Sequence, residues 1–347
     1  MGASPGAPVV VQYLYVHRPG ESFRYPSSRD RSGNPARLAV RYLECALVQA
    51  ASLALSGSAC ELVLVTNLPG PEALDRTGAR LLRRIEATGV RLVTADYEHR
   101  PAGENADFAA SRYVFDAIRA VAGEEPAGRT LWLVDVDCVW VNPQRGFAAT
   151  PAPPAVGCVQ IPYPPEWGVD AWDRNAIGAL AERMGGEAGP PPPWIGGEVL
   201  AGAAGDLLEL VASCETLDGE LGELGVVLQT EEQLLTLAAA LGRIELENIT
   251  RAVRRIWTGP RHGAPPPEDP ATLAVWHLPS EKGLAFRRAA RDLQAGREER
   301  LRRELEDPVR AMRLFNVQGA GRARQVRDDL WLLKQRALDA AHARRGG

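Results

Sequence analysis

Val9 to Val16 (VVVQYLYV) is an unbroken β-branched and aromatic run of strand length, followed by a polar stretch from His17 to Asn34. Ala36 to Leu55 carries apolar residues at helical spacing, and Glu61 to Thr66 (ELVLVT) predicts a second buried strand closed by Asn67 and Pro69. Leu81 to Ala87 predicts a helix stopped by Gly89, and Val90 to Thr94 a third short strand. Phe108 to Val121 predicts a helix, and Leu131 to Val141 (LWLVDVDCVWV) is the most strand-like run in the chain. Strand and helix thus alternate over residues 1–140, which predicts an α/β fold with a mostly parallel sheet flanked by helices. Ligands of such sheets bind beyond the carboxyl ends of the strands.

Residues 151–195 change character, with prolines at Pro151 to Pro154, Pro162 to Pro165 and Pro190 to Pro193, and Trp167, Trp172 and Trp194 among them. This pattern predicts an insertion of ordered turns. Leu207 to Ser213 and Glu231 to Leu241 predict helices, Thr272 to Trp276 a strand, and the chain from Leu284 onward a helical extension rich in Arg and Glu. The resulting division is 1–150 as one α/β half, 151–283 as a second half, and 284–347 as a helical C-terminal tail.

Composition narrows the function classes. A formal net charge of −4 gives no global basic field for nucleic acid. The N-terminal residues lack the charged and apolar regions of a signal peptide, and no apolar run is expected to span a bilayer. The five cysteines are scattered and form no CxxC, which speaks against a disulfide framework or zinc knuckle. The chain therefore reads as cytoplasmic, with reduced thiols; a homodimer stays open. Only Lys282 and Lys334 are lysines among 40 Lys and Arg residues, so each lysine bears on chemistry.

Asp135 and Asp137 are the chemical centre. An apolar run delivers two carboxylates separated by one residue, and in an extended chain such residues point to one side. Paired carboxylates repel unless a cation or donors neutralise them. Oxygen-rich sites with open positions suit Mg²⁺ or Mn²⁺, which also bridge diphosphates. The same letters also suit strand-end aspartates that cap a neighbouring helix or loop.

Hydrophobic strand, Asp-x-Asp, hydrophobic strand resembles the DxD signature of GT-A glycosyltransferases, placed as in that family after a first Rossmann-like half. The resemblance implies that Asp135 touches the nucleotide ribose and the metal, and that Asp137 ligates Mn²⁺ or Mg²⁺. Three further segments fit it. The resemblance implies that Arg112, on the helix before the DxD run, lies near the pyrophosphate or the DxD loop; a solvated helix arginine is the alternative. In PWIGGEVLAG, Gly196 and Gly197 would let the backbone approach the transferred sugar, and Glu198 would bind its hydroxyls or act as a base. VWHLPSEKG resembles the late His…Lys segment of the glycogenin and lipopolysaccharide galactosyltransferase group, which implies His277 as third metal ligand and Lys282 on the diphosphate. The spacing departs from the group, with Ser280 in place of a glycine and Lys282 one position early.

Gln229-Thr-Glu-Glu-Gln resembles the acidic-Gln pair of the same group, implying Glu232 or Gln233 beneath the anomeric carbon of a retaining enzyme. The alternative is a helix N-terminus capped by Thr230. Trp167 and Trp194 offer indoles for an acceptor sugar, or anchors for a proline-rich loop. The resemblance thus implies a hexosyltransferase-like enzyme that moves a sugar from a nucleotide diphosphate, with UDP the default, to a small-molecule or cell-envelope acceptor. The composition, rich in Ala, Gly, Pro and Arg, is that of a GC-rich genome and sits well with natural-product biosynthesis. Two rivals remain. Asp135-Val-Asp-Cys-Val fits the nucleophile motif of haloacid-dehalogenase phosphatases, with Asp135 attacking phosphorus. A non-catalytic GT-A-like nucleotide-sugar-binding protein is the other.

Overall fold

The computed structural model describes residues 6–18, 20–21, 34–104, 108, 110–168, 171–258, 269–317 and 326. Most of the polar stretch after His17, most of the proline run 260–270 and the last part of the Arg-rich tail lie outside them.

In chain order the elements are β1 (Val9–Leu14), α1 (Pro35–Leu55), β2 (Glu61–Thr66), α2 (Arg76–Glu86), β3 (Arg91–Thr94), α3 (Tyr113–Ala122), β4 (Thr130–Asp135), β5 (Cys138–Trp140), α4 (Pro143–Phe147) and β6 (Val156–Ile161). They continue with α5 (Arg174–Arg183), β7 (Trp194–Ala203), α6 (Ala204–Glu223), α7 (Glu231–Ala240), β8 (Leu246–Asn248), β9 (Val253–Arg255), β10 (Val275–His277), α8 (Ala285–Gln294), α9 (Glu298–Leu305) and α10 (Pro308–Leu314). Seven strands form one sheet in the order β3-β2-β1-β4-β7-β6-β8, and β7 alone runs against its neighbours. The sheet is therefore mostly parallel, as the strand–helix alternation predicts. A second sheet has three strands, in the order β5-β10-β9.

The registers Leu14↔Thr66, Thr66↔Thr94 and Tyr13↔Asp135 bring the carboxyl ends of β1 to β4 to one edge. Helix starts follow from local chemistry: Asn34, Asp75 and Asp173 accept N-terminal backbone N–H groups of α1, α2 and α5. Helix α1 packs on α2, α8 and α9, while α3 packs on α6 and α6 on α7. By length and composition α1 could cross a membrane, contrary to the sequence expectation, but 78% of its apolar window is buried inside the fold. It is built as a core helix.

Two further expectations are corrected. The run Leu131–Val141 is not one strand. It turns at Val136 and Asp137, so that β4 ends in the large sheet and β5 starts the small one. The region 151–195 is more regular than its prolines suggest, since β6, α5 and the first residues of β7 fall within it. Strand β7 is buried over its whole length, and its glycines disguise it as a turn.

His99, which follows the carboxyl end of β3, clips α3 to α6. Its Nδ1 lies 2.6 Å from Asp116 of α3 and its Nε2 2.7 Å from Glu215 of α6, with Arg119 also on Glu215 and the Phe115 ring at its edge. Burial pulls the imidazole pKa down, but the two carboxylate hydrogen bonds outweigh it and leave the value raised. The folded form thus holds the proton more tightly than the unfolded chain, whose value is about 6.5. The stabilisation is complete below about pH 6.5 and is lost as pH rises through the elevated folded value. Urea denaturation between about pH 6 and pH 9 should show wild-type stability falling relative to His99→Gln. Parallel curves would show that His99 carries no charge in the fold.

Candidate active site

The Asp-x-Asp turn is fixed from three sides. Gln49 of α1 donates to the Asp135 carbonyl (2.9 Å), Ser52 accepts from the Trp140 N–H (3.1 Å), and the Leu278 N–H donates to the Asp137 carbonyl (3.0 Å). The pairing His277↔Cys138 between β10 and β5 then sets His277 beside Asp137. His277 Nε2 stands 3.3 Å from Asp137 and 3.7 Å from Asp135. The two carboxylates converge because the chain turns between them, and not through the alternation of an extended strand.

Lys282 follows the 3-10 turn Pro279–Glu281, ion-pairs with Asp137, and places its ammonium 5.4 Å from the Tyr42 ring centre. The one-residue departure in spacing therefore does not keep it from the site. Asp137 is fully buried and Asp135 is 29% exposed, so the pair opens to solvent on the Asp135 side. Burial raises both carboxyl pKa values. The Asp137 charge adds to the rise at Asp135, whereas Lys282 and His277 reverse it at Asp137, which is held well below the usual range. Burial lowers the His277 pKa, but Asp137 and Glu198 more than restore it, to about 9.

The donor set fits a divalent cation. Ligand atoms of Asp135, Asp137 and His277 lie within 4.8 Å of one another. Asp137 Oδ1 and His277 Nε2 are buried without a hydrogen-bond partner, and such groups are costly unless something satisfies them. Two carboxylates and an imidazole suit Mn²⁺ or Mg²⁺.

Antiparallel pairing Val134↔Val199 carries the start of β7 to the same edge, so Glu198 lies next to this group. Its carboxylate is 3.5 Å from His277 Nδ1 and is held by Arg255 of β9 at 2.7 and 3.1 Å. Burial pushes the Glu198 pKa up, yet Arg255 and His277 bring it down to about 2. Glu232, at the start of α7, ion-pairs with Arg255 and accepts the Trp194 indole N–H at 2.7 Å.

The remaining expected residues have settings of their own. Gly196 and Gly197 are needed because a Cβ there would meet Glu198 and Glu231, two of the chain's own carboxylates. Gln233 is spent on a capping box with Thr230, as the helix-start alternative requires. Arg112 is buried and forks onto Asp218 (2.9 and 3.0 Å) and the Leu228 carbonyl, which anchors the chain before α7. Trp194 is a fully buried strand residue whose N–H is occupied by Glu232, so it offers no open stacking face. Trp167 is 41% exposed and stacks on Tyr163, ring centres 5.6 Å apart.

Sequence reasoning did not single out Arg255, Glu231 or Tyr13. Glu231 lies over Gly197, and burial followed by the Glu232 charge raises its pKa to about 8, so it is largely protonated at neutral pH. Tyr13 on β1 donates to the Gly197 carbonyl at 3.2 Å. Arg255 is one arginine among many, and only the β9–β10 pairing reveals its place.

No family model matches the sequence, and a search of curated proteins finds no match. Among solved structures, the chain is similar to an active-site mutant of LgtC, with a TM-score of 0.46 and 11% identity over 78% of this chain and 86% of that one. It is also similar to the galactosyltransferase LgtC in complex with donor and acceptor sugar analogues, with a TM-score of 0.47 and 11% identity over 83% and 95% of the two chains. These are distant likenesses of fold.

Proposed function

We propose that this chain is a metal-dependent glycosyltransferase that moves a sugar, with retention, from a nucleotide diphosphate to a small-molecule or cell-envelope acceptor. UDP is the nucleotide we favour, and the first half, 1–150, is its binding half. The observation that carries the reading is the meeting of Asp135, Asp137, His277 and Lys282 at the carboxyl edge of the sheet. They come from segments far apart in sequence: the spacing of Asp135 and Asp137 points to a cation, and the resemblance implies His277 and Lys282 beside them.

Asp135, Asp137 and His277 would hold Mn²⁺ or Mg²⁺, which when bound neutralises the charge that develops on a diphosphate leaving group. Lys282, an ammonium beside Asp137, supplies a second positive charge for the phosphates. Asp135, on the solvent side, would meet the ribose. Glu231 in its protonated form can donate to a sugar hydroxyl, and Tyr13 keeps the Gly197 backbone in place behind it. Glu232 lies against the Arg255 guanidinium, so we assign it to facing an oxocarbenium-like transition state and not to acting as a base. Trp167, stacked on Tyr163 and partly exposed, is our candidate for the acceptor side.

Calorimetry should find UDP affinity that depends on Mn²⁺, and NMR of the product should show an α-linked anomeric proton from an α-linked donor. A β-linked product would remove the retention assignment. Turnover of p-nitrophenyl phosphate without metal-dependent affinity for any nucleotide would replace the transferase by the phosphatase that uses Asp135 as nucleophile.

A further inference from the structure

His277 presents its two ring nitrogens in opposite directions. Nε2 faces Asp137 and Asp135 at 3.3 and 3.7 Å, and Nδ1 faces Glu198 Oε1 at 3.5 Å. An imidazole ligates a cation through an unprotonated nitrogen, and the acceptor for its other N–H decides which nitrogen that is. Glu198 is placed to be that acceptor. Its side chain is 1% exposed, and both of its oxygens are gripped by Arg255 through Nε (3.1 Å) and Nη2 (2.7 Å). Such a fork fixes a carboxylate in orientation as well as position.

The grip is itself anchored. Arg255 and His277 are register partners on adjacent strands, so the guanidinium and the imidazole are carried by one small sheet. The Tyr163 hydroxyl lies 3.3 Å from Arg255 Nη1, and Glu232 takes the remaining side. Glu198 comes from β7 of the large sheet, so its contact with His277 ties the two sheets together at the site.

We propose that Glu198, held by Arg255, is a positioning residue that keeps the proton of His277 on Nδ1 and turns Nε2 toward Asp135 and Asp137, and that it is neither a base nor a sugar ligand. The proposal rests on the reading of Asp135, Asp137 and His277 as ligands of a divalent cation. It assigns Glu198 a role different from the sugar-binding or base role its sequence context suggests.

The test is Mn²⁺ affinity of the full-length protein without nucleotide, read by electron paramagnetic resonance, for wild type, Glu198→Ala and Glu198→Gln. Glu198→Ala should weaken Mn²⁺ binding about 10- to 100-fold. Glu198→Gln keeps an acceptor for Nδ1–H and should recover most of that loss, which a general loss of packing would not do. Nitrogen NMR of the Mg²⁺-saturated wild type should show His277 protonated at Nδ1, a readout that stands even if Glu198→Ala fails to fold. Wild-type Mn²⁺ binding with unchanged affinity in both variants, or a His277 protonated at Nε2, would overturn the positioning role alone. Absence of Mn²⁺ binding by wild type would instead overturn the metal-site reading on which it rests.

Discussion

Asp137→Asn is expected to abolish metal-dependent nucleotide binding and to lower sugar transfer by about a thousandfold, on the scale of losing a transition-state charge partner. The same variant is expected to be less stable. Asp137 is fully buried and neutralises both Lys282 and His277, so its loss leaves Lys282 facing only the partly exposed Asp135 among the described residues and His277 sharing Asp135 and Glu198. Removing one member of a buried ion pair costs about 3–5 kcal/mol, and Asp135 should recover part of this by turning toward Lys282. Binding by calorimetry, turnover, and chemical denaturation measured on one preparation separate the two effects. A variant that retains Mn²⁺-dependent UDP affinity would remove Asp137 from the ligand set. A variant as stable as wild type would show that Lys282 does not depend on it.

Asp135→Asn should behave differently. Its carboxylate is partly exposed and its pKa is raised by burial and by Asp137, so in the protein without metal it contributes less as a fixed charge. The two aspartates are one motif in sequence and two environments in space.

How legible the site was depends on what each role demands. Metal and diphosphate binding require scarce residue types, and His277 and Lys282 stand out in a chain with five histidines and only two lysines, Lys282 and Lys334. Parallel strands buried on both faces leave long β-branched runs, which is why β1, β2 and β4 can be read directly. Strand β7 cannot, because Gly196 and Gly197 imitate a loop when their actual task is to leave room for Glu198 and Glu231. The turn at Val136 was hidden for a related reason. Its residues are as apolar as the strands on either side, and only the departure of β5 into the second sheet breaks the run.

Roles that depend on pairing across the fold were the least visible. Arg112 stands before the DxD run in sequence, yet in space both of its terminal nitrogens hold Asp218 and one also the Leu228 carbonyl. Trp194 stands in sequence beside the other indoles of a proline-rich segment, but the strand it opens buries it completely. Arg255 looks in sequence like any other member of an arginine-rich chain. In space it is the cation that keeps two buried carboxylates apart.

That position makes Arg255→Leu the change with the largest expected cost to stability. Glu198 and Glu232 both contact the guanidinium, and their side chains are 1% and 11% exposed. Without it they face each other, answered among the described residues by His277 on one side and the Trp194 N–H on the other. Stranding buried charge in this way costs about 3–5 kcal/mol. The cost should depend on pH in a defined direction. The Glu198 pKa in the folded wild type is held down at about 2, so its stabilisation is present above the unfolded value of about 4.3 and is lost as pH falls toward the folded one. Arg255→Leu removes that contribution, and its deficit relative to wild type should therefore shrink as pH falls below about 4.3. Adding Glu198→Gln to Arg255→Leu should restore part of the stability lost, because one of the two stranded charges is gone. Denaturant titrations of wild type, both single variants and the double variant, at neutral pH and near pH 4, measure the whole cycle. A deficit within about 0.5 kcal/mol of wild type, the scale of an ordinary surface change, would mean that Arg255 does not bridge these carboxylates.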